Sequence, residues 1–173
     1  MARKLLLMFA VTFTAGLLFV SIYNSLIDVP NWSSNIPVSI QTTRDYFKTA
    51  NPGNFFRIFS PGDQLITLLA LIFCWKVSKT LRLYCAAALL LAIGADVFTF
   101  AYFYPRNEIL FELPISSNLN ALKTASSQWA SMNWVRSFIC AIELYFDFSA
   151  LALLLRNTDK KNEHYKISIA QNH

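Results

Sequence analysis

The residues best suited to chemistry lie in the last hydrophobic segment of the chain, which carries one arginine and two carboxylic acids. Steps of three and four residues place the polar side chains of this segment on one face of a helix. This polar stripe consists of Asn133, Arg136, Cys140, Glu143 and Asp147. An arginine can stabilise a forming oxyanion, and a carboxylate removed from water can accept a proton. We therefore predict catalytic roles for Arg136, Glu143 and Asp147.

The last segment is poorly suited to stand alone in lipid. Its apolar side chains favour insertion by about 3 to 7 kcal/mol, and two central ionised carboxylates nearly cancel this at roughly 2.5 to 3.5 kcal/mol each. Glu143 and Asp147 are one helical turn apart, and at about 6 Å with an effective dielectric of about 20 their repulsion is about 3 kcal/mol. At least one of them is expected to be neutral. Such groups are functional candidates by default, and the alternative is a network that only fixes helix register.

Four hydrophobic segments separated by more polar stretches account for most of the chain. Each has about 20 residues, which is enough to cross roughly 30 Å of hydrocarbon as a helix. The sequence therefore predicts an all-α fold, a four-helix transmembrane bundle over residues 1–156, followed by a polar cytoplasmic tail over 157–173 that we expect to be disordered. The predicted spans are about 5–27, 58–77, 83–104 and 134–155, with "SPGD" at residues 60–63 read as a turn and helix start.

Composition and charge agree with a membrane location. The chain is 55% hydrophobic and 14% charged, whereas a soluble domain has about a quarter charged residues. The net charge of +5 comes from Lys and Arg scattered at segment ends, so we expect no nucleic-acid partner. The distribution of these residues predicts that both termini are cytoplasmic. We expect a multi-pass protein of the plasma (inner) membrane of a bacterium.

Polar residues also line one face of the other predicted helices. Asn24 follows Thr14 and Ser21 on the polar face of the first segment, and Asp96 lies within the third. Asp96 and Glu143 lie at similar depths, and consecutive antiparallel helices usually pack together. The two carboxyl groups are therefore expected to meet near the bilayer centre. We predict a polar pocket between the helices, with Asn24 and Asp96 as substrate-binding residues.

Motifs for metals and cofactors are absent from the sequence. Both histidines, His164 and His173, lie in the tail, and no Glu-x-x-His pair occurs. No glycine-rich phosphate-binding motif occurs either. The three cysteines form no C-x-x-C pair, which argues against a thiol–disulfide enzyme. We therefore expect no metal and no cofactor.

Two short motifs resemble a known family. The first segment exits through "YNSLIDVPNW", of the form Y-x-S-x-x-x-x-P-x-W, and the last opens with "WASMNWVR", of the form W-x-x-x-N-x-x-R. Both are similar to motifs of the small four-helix anthrone oxygenase-like membrane proteins. The resemblance covers roughly residues 5–155 and implies a four-helix membrane fold. It also implies that Asn133 and Arg136 are pocket residues with Trp129 beside them, and that an apolar aromatic substrate is oxidised with molecular oxygen and no evident cofactor.

The leading hypothesis is an integral membrane protein that binds an apolar or aromatic small molecule in a polar intramembrane pocket and acts as a cofactor-independent oxygenase. Arg136 would stabilise a developing enolate or phenolate, and Glu143 or Asp147 would take a proton. The alternative is a non-catalytic membrane component, either a proton-coupled carrier or an accessory subunit. The expected partners are membrane lipid and an apolar small-molecule ligand, and homo-oligomerisation is left open.

Overall fold

The computed structural model describes the backbone of residues 1–115 and 118–170, and side chains up to residue 157. These residues are almost entirely helical and contain no strand, so the all-α prediction is confirmed. Three π-helical turns lie within or beside the helices, at Asn24–Asp28, Thr99–Phe103 and Glu108–Glu112. The α-helices are α1 (Ala2–Tyr23), α2 (Val29–Ser33), α3 (Val38–Tyr46), α4 (Pro52–Cys74), α5 (Lys79–Phe98), α6 (Tyr104–Asn107) and α7 (Leu119–Ala170).

Four helical segments are long and apolar enough to cross a membrane, as the sequence predicts. They are Ala2–Ser33, Pro52–Cys74, Lys79–Glu112 and Leu119–Asn157. The first and third are longer than expected, because π-helical turns join α1 to α2 and α5 to α6 without breaking the helix. Together with the apolar composition, these helices make the chain a multi-pass membrane protein.

Two predicted boundaries differ from the structure. The "SPGD" stretch lies inside α4, which begins nine residues earlier than Pro61, at Pro52. Asn51 has an extended backbone, and proline fits the first helical turn because that turn has no use for its missing N–H. The polar tail is helical to Ala170 and continues α7, so the expectation of disorder is wrong for 157–170. Residues 171–173 lie outside the described part of the chain.

The four long helices pack in a ring. α1 contacts α4 and α7, and α5 contacts the same two helices. At one end, which we call the tight-turn end, the short connection before Ser78 joins α4 to α5, and the Ser78 hydroxyl caps α5 by accepting from the Leu81 N–H at 3.1 Å. The start of α1 and residue 154 lie at this end, because Leu7 and Leu154 belong to the same apolar cluster. Which membrane side this end faces stays a prediction.

The other end of the bundle, which we call the capped end, is covered by the connecting segments. The cluster beneath them is aromatic and aliphatic and comprises Val29, Trp32, Ile40, Phe103, Leu110, Leu122, Ala125 and Trp129. Arg44 of α3 fastens this cover, since its guanidinium donates to the carbonyl oxygens of Leu110 at 2.7 and 2.9 Å and of Leu113 at 2.9 Å. Partial burial lowers the pKa of Arg44 from its usual value.

Candidate functional site

The polar stripe of α7 faces the interior of the bundle. All five of its members are buried, and the most exposed of them, Arg136, has 6% of its surface accessible. The facing helices contribute buried polar groups at matching heights, among them Thr14 and Ser21 of α1 and Asp63 and Thr67 of α4. The seam predicted from helical spacing is therefore a continuous polar interior.

A cavity of about 460 Å³ opens at the capped end of this seam. We call it the wide cavity. It lies between the capped halves of α4 and α5 and is closed from the side by α7 and the π-helical turn after α1. Aromatic rings and polar groups alternate on its wall, including Asn24, Trp32, Asp96, Phe103, Trp129 and Arg136. Such a mixture suits a flat apolar ligand that carries a few polar atoms.

Arg136 is held at the inner end of the wide cavity without a carboxylate partner. Its Nη2 donates to Asn133 Oδ1 at 2.6 Å, and its Nε donates to Ser21 Oγ at 3.2 Å. The guanidinium carbon lies 4.6 Å from the centre of the Phe56 ring and 4.7 Å from that of Phe103. Within the described residues, no acid forms an ion pair with Arg136 and no protein acceptor hydrogen-bonds its Nη1. The charge is thus oriented by neutral groups, and part of its hydrogen-bonding capacity is unused.

Asn133 and Trp129 position this arginine and the cavity wall. The Asn133 amide nitrogen donates to the Ser21 carbonyl oxygen at 2.8 Å and to Ser25 Oγ at 2.6 Å, which leaves its oxygen facing Arg136. Trp129 donates from Nε1 to Asn107 Oδ1 at 2.9 Å. Both residues therefore have fixed orientations, which is what a preformed binding site requires.

Trp32 supplies a second unused donor to the wide cavity. Its ring meets Trp129 edge-on at 4.8 Å between centroids, and only 6% of the residue is exposed. No acceptor in the described part of the chain reaches its Nε1. A buried N–H without an acceptor costs roughly 1 to 3 kcal/mol, so this group is unusual in a cavity wall.

A narrow cavity of about 30 Å³ continues from the wide cavity towards the bilayer centre. Asp96 and Arg136 line both cavities and therefore stand at their junction. The narrow cavity also reaches Asp63, Cys140 and Glu143. Its size suits about one water molecule, so it connects the wide cavity with the buried carboxyl groups.

Three carboxyl groups and one hydroxyl meet below the narrow cavity. The Thr14 hydroxyl lies 3.1 Å from Asp63 Oδ1 and 2.8 Å from Asp147 Oδ2. The carboxyl group of Glu143 lies beside that of Asp63. We call Asp63, Glu143 and Asp147, together with Thr14, the carboxyl cluster. All four residues are at most 1% exposed.

The structure separates the predicted site residues into two groups. Asn24, Asp96, Trp129 and Arg136 line the wide cavity, and Asn133 orients Arg136 from behind. The two predicted proton acceptors lie deeper: Glu143 lines only the narrow cavity, and Asp147 belongs to the carboxyl cluster without being among the residues that line either cavity.

Asp96 and Glu143, which were expected to lie near each other, both line the narrow cavity, and each also has a partner on another helix. Asp96 accepts from Gln64 Nε2 at 2.6 Å, and Glu143 pairs with Asp63. Both partners come from α4, because α4 is inserted between α1 and α5 in the ring. The prediction considered only the neighbours in sequence, α5 and α7.

Three residues of the site were not predicted as site residues. Asp63 and Thr14 could have been found, since each lies on the polar face of its own helix. Trp32 is the last residue of the motif YNSLIDVPNW, so the motif marks it, but its place in the cavity wall depends on how the capped end is assembled. Among the described residues, no group of three or more His, Cys, Asp or Glu side chains is arranged to hold a metal ion.

Four apolar helices around a buried polar seam, with an aromatic cavity at one end, define a small multi-pass membrane protein with an internal cavity. A family model described as anthrone oxygenase matches residues 55–144, which is just over half of the 173-residue chain. The chain therefore belongs to the anthrone oxygenase family, and the resemblance drawn from its two short motifs is confirmed. No curated protein and no solved structure matches the chain.

Proposed function

We propose that the protein binds an aromatic ketone or phenol of the anthrone type in the wide cavity and oxidises it with molecular oxygen, without a bound cofactor. The observation that carries this proposal is a pair of donors in an aromatic cavity, Nη1 of Arg136 and Nε1 of Trp32, for which the described residues supply no acceptor. A ligand with a planar apolar body and oxygen atoms at its edge would satisfy both donors. The family of the chain supports the same substrate class.

The chemistry needs one acidic C–H bond and one stabilised oxyanion. Loss of a proton from the methylene carbon of an anthrone gives an enolate, whose oxygen would accept hydrogen bonds from Arg136. Such an electron-rich anion can itself pass electrons to O₂, which is why no cofactor is required. Oxygen then bonds to the deprotonated carbon as a peroxide. Protonation of the outer oxygen and loss of water leave a quinone, so one anthrone and one O₂ give one anthraquinone and one water.

The acid–base groups are the carboxyl groups at and below the cavity junction. Asp96 lines the wide cavity and can receive the proton directly, with Gln64 holding its carboxyl group in place. Glu143 lines the narrow cavity, and Asp147 lies behind it next to Thr14. Both would therefore exchange protons with the substrate through the narrow cavity. The same route returns the proton to the departing oxygen.

The arrangement of the polar seam supports an enzyme over a proton-coupled carrier. A carrier needs access to its site from both membrane sides. Here the seam ends at an apolar cluster at the tight-turn end, whose members Leu7, Leu81 and Ala150 are inaccessible. A seam exposed on the outer surface of the bundle would instead suit an accessory subunit, and this seam is buried.

The test is oxygen uptake by the purified protein in lipid nanodiscs with anthrone as substrate. We expect one O₂ consumed per anthraquinone formed, at a rate at least about tenfold above that of empty nanodiscs, or roughly 1.4 kcal/mol of barrier lowering. Empty discs are the necessary control because anthrones oxidise slowly on their own. Saturable binding of anthrone with no increase in oxygen uptake would contradict the oxygenase and favour the non-catalytic alternative.

A further inference from the structure

The Thr14 hydroxyl has more acceptors around it than it can serve. Its oxygen lies 3.0 Å from the Ala10 carbonyl oxygen, 3.1 Å from Asp63 Oδ1 and 2.8 Å from Asp147 Oδ2. A hydroxyl has one proton to donate and can accept through its lone pairs. If it donates to one carboxylate, the contact with the other carboxyl group is favourable only when that group donates a proton to Thr14. One carboxyl group of this pair must therefore be protonated.

The contact between Glu143 and Asp63 requires a second proton. Both groups are acceptors when ionised, they lie side by side next to Thr14, and Glu143 is only 1% exposed. No N–H or hydroxyl donor of the described residues reaches Oε1 of Glu143. Only a proton on one of the two carboxyl groups can fill this contact. Since this proton is separate from the one at Thr14, three carboxyl groups hold at least two protons.

We infer that Asp63, Glu143 and Asp147 form a proton-binding site that holds two protons at rest and accepts a third. Two protons are the fewest that fit the contacts among the three carboxyl groups, and they leave one negative charge. A single negative charge is favourable below the Arg136 guanidinium, whereas two or three would repel one another in a medium of low dielectric. The free capacity of the site is thus one proton.

In the described part of the chain, the polar side of the site is the narrow cavity, and proton exchange is expected there. On that side it is faced by Asp96, Arg136 and Cys140. On the other side Asp147 faces Cys85, which belongs to the apolar cluster that closes the tight-turn end. A proton entering from the wide cavity therefore stays in the carboxyl cluster until it leaves by the same way.

Uptake and release of one proton by the carboxyl cluster is what the anthrone oxidation requires. The link between the two rests on the proposed function. The oxidation removes one proton from the substrate and returns one to the peroxide. A closed site with room for one proton would store it between these two steps. Thr14 then acts as a positioning residue, since its hydroxyl links Asp63 to Asp147 and lets the proton shift between them.

The proton count can be measured without substrate, by infrared spectroscopy of the protein in a detergent that has no ester groups. Protonated carboxyl groups give C=O stretching bands that ionised groups lack. We expect the triple variant Asp63→Asn/Glu143→Gln/Asp147→Asn to lose the area of two such bands at neutral pH. The single variant Glu143→Gln should lose one, because the new amide can donate to Asp63 in place of a proton. The matched control is Asp45→Asn, whose carboxylate is paired with Lys48 at the surface at 3.1 Å and should lose none.

Two results would overturn the inference. Loss of fewer than two bands in the triple variant would mean that the three carboxyl groups hold fewer than two protons. Loss of three bands in the triple variant would mean that the site is already full. If the triple variant fails to fold, the single variant decides, since an unchanged spectrum contradicts the shared proton between Glu143 and Asp63. The count does not depend on catalysis, so a negative oxygen-uptake experiment would leave it standing.

Discussion

At the tight-turn end, small and aliphatic side chains fill the centre of the bundle, and Leu7, Leu81 and Ala150 have no accessible surface. At the capped end, the centre is a cavity of about 460 Å³ whose wall includes an arginine without an acid and a tryptophan without an acceptor. The same four helices form both ends. The tight-turn end is closely packed, whereas the capped end contains a cavity and donors without acceptors.

The cavity and the unsatisfied donors at the capped end lower the stability of the fold, which indicates that this end has a function. A buried donor without an acceptor, such as Trp32 Nε1, costs roughly 1 to 3 kcal/mol, and a ligand that supplies the missing acceptor would recover this free energy on binding. Within the described residues, the apolar cluster at the tight-turn end contains no buried side-chain N or O atom without a partner, although Thr67 Oγ1 on the seam of α4 has none. Intramembrane polar groups alone would not separate the two ends, since the carboxyl cluster lies between them and satisfies itself with protons.

The largest effect is expected from a change that damages packing at the tight-turn end. Leu81→Ala should lower the stability of the folded bundle by roughly 2 to 5 kcal/mol, because it leaves a cavity among inaccessible side chains. Leu83→Ala on the same helix is the control, since Leu83 is 56% exposed towards lipid and should change stability little. Thermal unfolding in detergent measures both. Equal effects of the two substitutions on stability would contradict the structural role of the tight-turn end. Loss of anthrone binding by a folded Leu81→Ala variant would contradict the assignment of binding to the capped end.

At the capped end, a substitution is expected to lower activity, with a smaller change in free energy than Leu81→Ala. Arg136→Lys keeps the charge and removes the planar fork, so it should lower turnover of anthrone at least about tenfold, roughly 1.4 kcal/mol. The bundle should still fold, because packing at the other end is untouched. Arg106→Lys is the matched control, as its guanidinium stacks 3.4 Å from the Tyr102 ring centre and is not among the residues that line the wide cavity. Full activity of Arg136→Lys would show that Arg136 serves only as an anchor.

Much of the fold follows from the sequence, because apolar length and helical periodicity are local properties. Four spans and the buried stripe of α7 required nothing more. The ends of the helices were less predictable: π-helical turns extend two of them, and Pro61 lies within α4 rather than starting it. The site was predictable only in part. The residues on α7 were found from spacing, but the pairing of Glu143 with Asp63 depends on the order of helices around the ring, and Trp32 depends on how the capped end folds over.

The central claim, that the wide cavity binds an oxygenated aromatic molecule, can be tested by photolabelling with benzophenone. Benzophenone is itself an aromatic ketone, and irradiation bonds it to nearby C–H groups, which mass spectrometry can locate. We predict adducts on cavity residues such as Phe56, Phe103 and Trp129, and suppression of these adducts by excess anthraquinone. Adducts confined to lipid-facing residues such as Phe138 and Phe148, which are 66% and 53% exposed, and unaffected by anthraquinone would contradict the claim.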